Sequence, residues 1–249
     1  MTTPPPGSAK RVALVTGGAR RVGRAIVERL AAGGFDVAFT YNRSRDDAAA
    51  LADQLRAKGA KVHPISADLS DPLGAADTVD AGFRAAFTRL DVLVNNASVY
   101  EPAALPDLTP NQLRVMNAVH VETPLLLVQA LEPLLRQARG CVINMVDLLA
   151  ERPWPKYLAY CASKAGLWNL TLGLARELAP DVRVNGIAPG VVEWPDGYPE
   201  EEKERYLRRV PLARAGTPQD VAELVHFLAT GGRYITGQVI RLDGGRSIT

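Results

Sequence analysis

The sequence predicts an α/β fold with a single doubly wound parallel sheet flanked by helices. Short runs of Val, Ile, Leu and Ala alternate along the chain with longer segments whose apolar residues recur at helical spacing. The short runs are continuously apolar, which is typical of parallel strands buried on both faces beneath covering helices. Crossovers between parallel strands are right-handed, so this alternation gives a doubly wound sheet.

The predicted elements follow one another without interruption. Strands are expected over residues 12–16, 36–41, 61–66, 91–95, 141–146, 182–188 and 239–242. Helices are expected over residues 21–32, 46–58, 72–88, 110–116, 119–137, 155–179, 200–209 and 218–229. No repeat, low-complexity linker or change in composition divides residues 10–249, so they are predicted to form one domain. Residues 1–9 have no apolar signal-peptide segment and are expected to be a flexible tail.

Composition narrows the classes of function. Of the 249 residues, 47% are hydrophobic and 22% are charged, which is ordinary for a globular protein. The net charge of +2 gives no reason to expect nucleic-acid or membrane binding, and no apolar run could span a bilayer. Cys141 and Cys161 give no disulfide framework and are expected to pack in the interior. His63, His120 and His226 lack metal-ligand spacing, so we expect a cytoplasmic protein without a metal.

A glycine-rich turn joins the first predicted strand to the first helix. Gly17 would bring backbone N–H groups close to a pyrophosphate, and Gly23 would let the helix pack closely on the sheet. The helix N-terminus offers unpaired donors and a positive dipole end to phosphates. The turn therefore indicates a Rossmann-type dinucleotide site. Arg21 stands where many such loops have glycine, and is either a solvated helix residue or a contact to phosphate and substrate.

The segment after the second strand bears on the choice of dinucleotide. Rossmann units that prefer NAD place a carboxylate here for the ribose 2′-hydroxyl. This chain has Tyr41, Asn42, Arg43 and Ser44 instead. A cation and a hydroxyl suit a 2′-phosphate, and no acidic side chain repels it. The sequence therefore predicts NADPH rather than NADH.

Further polar residues follow the third and fourth strands. Asp68 could accept a hydrogen bond from the adenine amino group while Leu69 packs on the ring, or Asp68 or Ser70 could cap the next helix. Asn96 lies at the carboxyl edge of the sheet, where ligands bind in this fold, although a role in the turn alone is the alternative.

A tyrosine and a lysine four residues apart, Tyr160 and Lys164, share one face of a predicted helix. The cation is expected to lower the pKa of the phenol toward working pH, which would make Tyr160 a general acid. Asp147 lies upstream on the neighbouring strand end. An ionised carboxylate cannot donate to a carbonyl oxygen, but it accepts from N–H groups and, when protonated, donates to a ring nitrogen.

Together these motifs resemble the short-chain dehydrogenase/reductase family over residues 10–249. The residues that carry the resemblance are Thr16, Gly17, Gly23, Asp68, Asn95, Asn96, Ala97, Asn117, Tyr160, Lys164, Pro189 and Gly190, with the segments 184–190, 235–238 and 243–245. Within that family the chain is most similar to the pteridine reductases. The positions that it shares with them are Arg21 and the segments 42–44, 96–98, 144–147 and 234–237.

The resemblance implies an NADPH-dependent reductase that transfers hydride to a C=N bond of an oxidised pterin of the dihydropterin or dihydrobiopterin type, or of a folate. A carbonyl reductase of the 3-oxoacyl type and a non-catalytic NADPH-binding protein are the alternatives. Family members that reduce carbonyl groups carry serine where this chain has Asp147. The resemblance also implies a homotetramer, with helices 119–137 and 155–179 between subunits.

The resemblance assigns a role to each site residue. The catalytic residues would be Asp147, Tyr160, Lys164 and Asn117, the last holding a water molecule. The residues expected to bind the cofactor are Gly17, Arg20, Arg21, Val22, Gly23, Tyr41, Asn42, Arg43, Ser44, Asp68, Leu69, Asn96, Ala97, Ser98, Lys164, Pro189, Gly190 and Val191. The residues expected to bind the substrate are Arg21, Ser98, Tyr100, Asp147, Tyr160 and Trp194, although Trp194 could instead anchor its loop.

Overall fold

The computed structural model describes residues 10–194 and 197–249, so the tail predicted over residues 1–9 lies outside the described residues. The strands are β1 (Val12–Val15), β2 (Asp36–Tyr41), β3 (Val62–Ser66), β4 (Val92–Asn95), β5 (Cys141–Met145), β6 (Arg183–Pro189) and β7 (Val239–Leu242). They form one parallel sheet in the order β3-β2-β1-β4-β5-β6-β7. The predicted doubly wound α/β fold is confirmed.

The helices that cover the sheet lie close to the predicted segments. They are α1 (Arg21–Ala32), α2 (Arg45–Arg56), α3 (Pro72–Ala86), α4 (Pro110–Asn117), α5 (Thr123–Ala138), α6 (Leu158–Glu177), α7 (Glu200–Leu207) and α8 (Pro218–Thr230). Helix α6 starts at Leu158 rather than at residue 155, because Lys156 has a φ of +70° that a right-handed helix does not allow. No helix within residues 10–194 and 197–249 is both long and apolar enough to cross a membrane.

Both faces of the sheet are buried, as the continuous apolar runs predict. Successive side chains of a strand point to opposite faces, so Val15 packs with Phe39 on the side of α1, α2 and α8. Leu14 packs on the other side with Phe83 of α3 and Leu131 of α5. Cys141 lies in the first of these two cores, as expected for a small apolar residue.

A buried polar network ties the centre of the sheet to α6. The Asn95 amide nitrogen donates to Asn144 Oδ1 at 2.8 Å, and Asn144 Nδ2 donates to Thr171 Oγ1 at 2.9 Å. The Thr171 hydroxyl in turn donates to the Leu167 carbonyl oxygen at 2.7 Å. Asn144 and Thr171 are fully buried. The network therefore fixes the position of the helix that carries Tyr160 relative to β4 and β5.

The substitution Thr171→Val tests this network. It keeps the shape of the side chain and removes the acceptor of a buried amide, so we expect the free energy of unfolding to fall by about 1–3 kcal/mol. Urea unfolding followed by circular dichroism measures the change. The matched control is Thr230→Val, because Thr230 also donates to a carbonyl four residues back but is only partly buried. Equal losses at the two positions would contradict the assigned role.

Candidate active site

A groove of about 720 Å³ opens at the carboxyl edge of the sheet, where the connections from β1 and β4 diverge. Many residues predicted to bind the cofactor line it, namely Gly17, Arg20, Arg21, Val22, Gly23, Tyr41, Asn42, Arg43, Asp68, Leu69, Asn96, Ala97 and Ser98. Tyr100, predicted to bind substrate, lines it as well. Ser44 lies just beyond this wall, immediately before α2.

The turn after β1 requires glycine at two positions. Gly17 has a φ of +64°, and a Cβ atom there would lie 3.0 Å from Ala97 Cα. A Cβ atom on Gly23 would lie 2.1 Å from the Gly17 carbonyl oxygen. The N-terminus of α1 has no side-chain cap, and its first turn has no acidic residue. These features fit a phosphate-bearing ligand, which would meet free backbone N–H groups at this end of the groove.

Arg21 combines a glycine-like backbone with a charged side chain. Its φ of +53° explains why glycine is common at this position in related loops. A non-glycine residue in this region costs about 1–2 kcal/mol. Arg21 Nε donates to Glu193 Oε2 at 2.9 Å, so the side chain is paired with the loop after β6. Its contacts to phosphate and to substrate stay predictions.

Asn96 holds the turn in place. Its side-chain amide donates to the Thr16 and Gly17 carbonyl oxygens at 2.9 and 3.3 Å. The backbone N–H groups of Asn96 and Ala97 both donate to Thr16 Oγ1, at 2.9 and 3.0 Å. The structure thus supports the structural alternative for Asn96, and leaves direct contact with the cofactor as a prediction.

The helix cap proposed for the segment after β3, Asp68 or Ser70, is wrong. The cap of α3 is Asp71, which accepts from the Gly74 N–H at 3.3 Å, and neither Asp68 nor Ser70 fills that role. Asp68 Oδ1 accepts from the N–H and the hydroxyl of Ser70 at 3.0 and 2.8 Å. These bonds lower the pKa of Asp68, and the nearby Arg43 charge contributes, so the carboxylate stays ionised at the groove wall.

Asp147 and Tyr160 meet in a direct hydrogen bond. The Tyr160 hydroxyl donates to Asp147 Oδ2 at 2.7 Å, and the Leu149 N–H donates to Oδ1 at 2.8 Å. Burial raises the pKa of Asp147, although both hydrogen bonds and the Lys164 charge oppose this. A carboxyl group with a raised pKa can hold or release a proton nearer to neutrality than an exposed aspartate.

The predicted lowering of the Tyr160 pKa is wrong for this structure. Burial and the Asp147 charge raise the pKa of Tyr160 well above its usual value. Lys164 Nζ donates to the Met145 carbonyl oxygen at 2.8 Å and lies 5.6 Å from the centre of the Tyr160 ring. Burial also lowers the pKa of Lys164 to about 8. Tyr160 therefore keeps its proton and is poised to donate it.

His120 is buried next to the candidate site, a placement that the sequence did not predict. Its Nε2 accepts from the Val99 N–H at 3.2 Å and lies 2.9 Å from Ser98 Oγ. Nδ1 lies 2.8 Å from Ser163 Oγ, whose hydroxyl donates to the Tyr160 carbonyl oxygen at 2.7 Å. The Val99 bond assigns the ring proton to Nδ1. Burial lowers the pKa of His120 to about 2, so the neutral ring joins Ser98 to the backbone of Tyr160 through Ser163.

A single π-type turn places His120 there. It spans Ala118–Glu122 between α4 and α5, and such turns are frequent at functional sites. Asn117 is the last residue of α4, directly before this turn, and its predicted water contact stays a prediction. A lone histidine in an apolar segment gives no sequence signal for this role, because its partners are far away in the chain.

Aromatic rings surround the phenol of Tyr160. Tyr100 stacks on Tyr157 with ring centres 4.5 Å apart, and contacts Tyr160 edge-on at 4.8 Å. One face of Tyr100 is thus already covered, which leaves the other for the predicted contact with substrate. Cys161, expected to be a packing residue, is buried in the same cluster.

The loop after β6 is anchored by a second aromatic group. Trp194 stacks on Tyr198 at 5.0 Å and meets Tyr206 edge-on at 5.5 Å. The Tyr206 hydroxyl accepts from the Val191 N–H at 3.1 Å, and the Gly190 N–H donates to the Leu242 carbonyl oxygen. Trp194 therefore anchors the loop, and its contact with substrate stays a prediction. The contacts of residues 189–191 with the cofactor also stay predictions.

Comparison with known proteins agrees with this architecture. A family model described as enoyl-(acyl carrier protein) reductase matches residues 17–247. The 3-oxoacyl-[acyl-carrier-protein] reductase FabG of Staphylococcus aureus is 37% identical over 249 residues, covering 94% of this chain and 96% of that protein. The chain belongs to the short-chain dehydrogenase/reductase family. It is accordingly an NAD(P)-dependent oxidoreductase.

Two solved structures of the family are similar over nearly the whole chain. A blue fluorescent protein from a metagenomic library, in complex with NADPH, has a TM-score of 0.89 at 36% identity and covers 95% of this chain and 97% of its own. The FolM alternative dihydrofolate reductase 1 of Brucella canis, complexed with NADP, has a TM-score of 0.84 at 36% identity, with coverages of 96% and 95%.

The low pKa of His120 predicts how stability depends on pH. The unfolded chain binds a proton at this histidine near pH 6.5 and the folded chain does not, so acid favours unfolding. Between pH 8 and pH 5 this group should lower the free energy of unfolding by about 2 kcal/mol. The variant His120→Gln should lack this part of the decline in urea unfolding at the two pH values.

The control is His63→Gln. Burial also lowers the pKa of His63, but this residue is partly exposed, so its substitution should alter the decline much less. If His120→Gln loses stability between pH 8 and pH 5 as steeply as the natural chain does, then folding does not lower the pKa of His120, and the prediction is wrong.

Proposed function

We propose that the chain is an NADPH-dependent reductase of oxidised pterins, which reduces a C=N bond of a dihydropterin. The observation that carries the proposal is the hydrogen bond from Tyr160 to Asp147, with a carboxylate where carbonyl-reducing relatives place a hydroxyl. Reduction of a carbonyl group builds negative charge on oxygen, which a carboxylate repels and a hydroxyl stabilises. Reduction of an imine needs a proton on nitrogen, which a carboxyl group with a raised pKa can help to supply.

The bound cofactor would supply the hydride that is added to the ring carbon. Tyr160 holds a proton beside Asp147, and this pair delivers it to the adjacent ring nitrogen. Asp147 also accepts hydrogen bonds from N–H groups of the heterocycle, which orient it. Lys164, fixed by the Met145 carbonyl oxygen, keeps positive charge close to the phenolate that forms as the proton leaves.

Two further observations support a folate-type or biopterin-type substrate. FolM of Brucella canis, named as a dihydrofolate reductase, shares 36% of its residues with this chain. Arg21, at a glycine position of the loop, lines the groove together with Tyr100. A planar heterocycle would bind between such groups through its polar edge and its face.

The groove favours NADPH as the cofactor. Arg43 lines its wall at the end of β2, and residues 41–44 include no acidic side chain. Guanidinium groups bind phosphates through paired, charge-assisted hydrogen bonds. The two similar structures that contain NADPH or NADP are consistent with this choice.

A second candidate is the reduction of 3-oxoacyl thioesters, which the 37% identity to FabG of Staphylococcus aureus favours. The third candidate is an NADPH-binding protein without catalytic activity, and it gives no role to the hydrogen-bonded pair of Tyr160 and Asp147.

We also propose that the chain forms a homotetramer. Leu125 on α5 and Leu158 and Leu172 on α6 are exposed, and these are the helices expected between subunits. Leucine side chains on helices of neighbouring subunits would bury one another.

Asp147→Asn tests the chemistry. The amide cannot exchange a proton, so we expect kcat/KM for dihydrobiopterin or dihydrofolate to fall by about 100-fold or more, with unchanged affinity for NADPH. The absorbance of NADPH at a near-ultraviolet wavelength follows the reaction. The matched control is Asp71→Asn, which retains a capping side chain on α3 and should keep full activity.

The same assay separates the candidates. Full activity of Asp147→Asn on dihydropterins would contradict the role of this residue. Turnover of a β-keto thioester by the natural chain, without turnover of any pterin, would favour the second candidate. Binding of NADPH without turnover of either class would favour the third.

Arg43→Ala tests the choice of cofactor. The loss of charge-assisted hydrogen bonds to a 2′-phosphate should weaken NADPH binding by about tenfold or more and leave NADH binding unchanged. Titration of cofactor fluorescence gives both dissociation constants. The control is Arg45→Ala, because the neighbouring Arg45 is exposed and does not line the groove. An equal loss for the two cofactors would show that Arg43 does not read the 2′-phosphate.

A further inference from the structure

A second cavity, of about 230 Å³, lies beside the aromatic group that anchors the loop after β6. It is lined by Leu148, Leu149, Arg152, Pro153, Trp154, Tyr206, Arg209 and Arg246, and we refer to it as the arginine cavity. Three arginines from separate parts of the chain meet there, and none of the described residues that line it is acidic. A cavity lined by one sign of charge attracts the opposite charge.

Arg246 is the buried member of this set. Only 8% of the residue is exposed, and its Nε has no hydrogen-bond partner within residues 10–194 and 197–249. Its guanidinium carbon lies 5.5 Å from the centre of the Tyr206 ring. Burial and the Arg209 charge lower the pKa of Arg246, and they outweigh the opposing charge of Asp243. A buried donor without a partner is uncommon and points to a ligand that would complete it.

The neighbouring charges do not neutralise the cavity. Arg152 donates to the Thr249 main-chain oxygen at 3.2 Å, and no side-chain carboxylate of the described residues pairs with it. Asp243, which lies near Arg246, already accepts from the Gly245 and Ser247 N–H groups at 2.9 and 2.7 Å. By contrast Arg241 pairs with Glu151 at 2.7 Å. Among the described residues, none of the three arginines of the cavity forms an ion pair with a side-chain carboxylate.

Two residues that line the cavity are hydrogen-bonded to residues of the candidate active site. Leu149, which lines it, donates its N–H to Asp147, and Tyr206, which also lines it, binds the Val191 N–H. Its volume lies below the roughly 300–1,000 Å³ of pockets that hold whole ligands, so it suits one charged part of a larger molecule. A substrate with its ring at Asp147 and an anionic tail fits this arrangement.

We propose that the arginine cavity binds the carboxylate tail of a folate-type dihydropterin, an inference that rests on the proposed function. Carboxylates and phosphates share the chemistry that guanidinium groups recognise. A dihydropterin whose ring carries a glutamate tail would gain these contacts, whereas dihydrobiopterin, which has no carboxylate, would not. The cavity thus makes the enzyme selective among pterins.

The variant Arg246→Met tests the proposal, since it keeps the length of the side chain and removes its charge. We expect the KM for dihydrofolate to rise by about tenfold or more. The kcat, the KM for NADPH and the KM for dihydrobiopterin should stay unchanged. If Arg246→Met does not fold, Arg209→Met replaces it, because Arg209 lines the exposed side of the cavity. The same pattern of KM changes is expected, with a smaller effect. The matched control is Arg208→Met, because Arg208 does not line the cavity. Equal KM changes for the two pterins, or none, would overturn the proposal.

Direct binding separates this proposal from the proposed function. Calorimetry with p-aminobenzoylglutamate, a tail without a pterin ring, should give binding to the natural chain that Arg246→Met abolishes, whether or not pterins are reduced. Reduction of both pterins without any binding of this probe would overturn the subsite alone. Binding of inorganic phosphate, and not of the probe, in an Arg246-dependent manner would assign the cavity to a phosphate and reject the carboxylate tail. A change in oligomeric mass in Arg246→Met, without any change in ligand binding, would make the cavity a contact between copies and likewise reject it.

Discussion

The hydrogen bond between the Tyr160 hydroxyl and Asp147 Oδ2, 2.7 Å long, joins the end of β5 to α6 and decides the electrostatics of the site. Burial raises the pKa of both groups, and the Asp147 charge raises that of Tyr160 further, so the phenol keeps its proton. Lys164 donates to the Met145 carbonyl oxygen, and its Nζ lies 5.6 Å from the centre of the Tyr160 ring. The Tyr160 hydroxyl is consequently protonated before a substrate binds, which suits a reduction that ends with protonation of the product.

The surrounding structure keeps this pair in position. Thr171 and Asn144 fix α6 against the sheet through buried hydrogen bonds, and His120 reaches the Tyr160 backbone through Ser163. Each of these bonds is short and shielded from water, where hydrogen bonds are strong and an unpaired group is costly. The position of the Tyr160 phenol therefore depends on residues from β5, the π-type turn and α6 together.

The sequence predicts the fold well and the chemistry of the site only in part. Strand β2 and helix α1 have the predicted bounds, because apolar periodicity and glycine positions report burial directly. The spacing of Tyr160 and Lys164 gives their shared helix face, but not the burial of the phenol or its bond to Asp147, so the predicted pKa shift of Tyr160 has the wrong sign. His120 and the residues of the arginine cavity come from distant parts of the chain. Only the folded backbone brings them together.

The backbone at Arg21 has a consequence for the dinucleotide groove. A glycine would adopt its φ of +53° without strain, yet Glu193, which also lines the groove, would then face an incoming phosphate without compensation. The Arg21 guanidinium offsets the negative charge of Glu193. Because both side chains are partly exposed, this ion pair contributes no more than about 1 kcal/mol to stability. Arg21 can therefore leave Glu193 for a phosphate at little cost. The strained backbone of Arg21 is thus offset by its charge, which allows a phosphate to bind in a groove that Glu193 also lines.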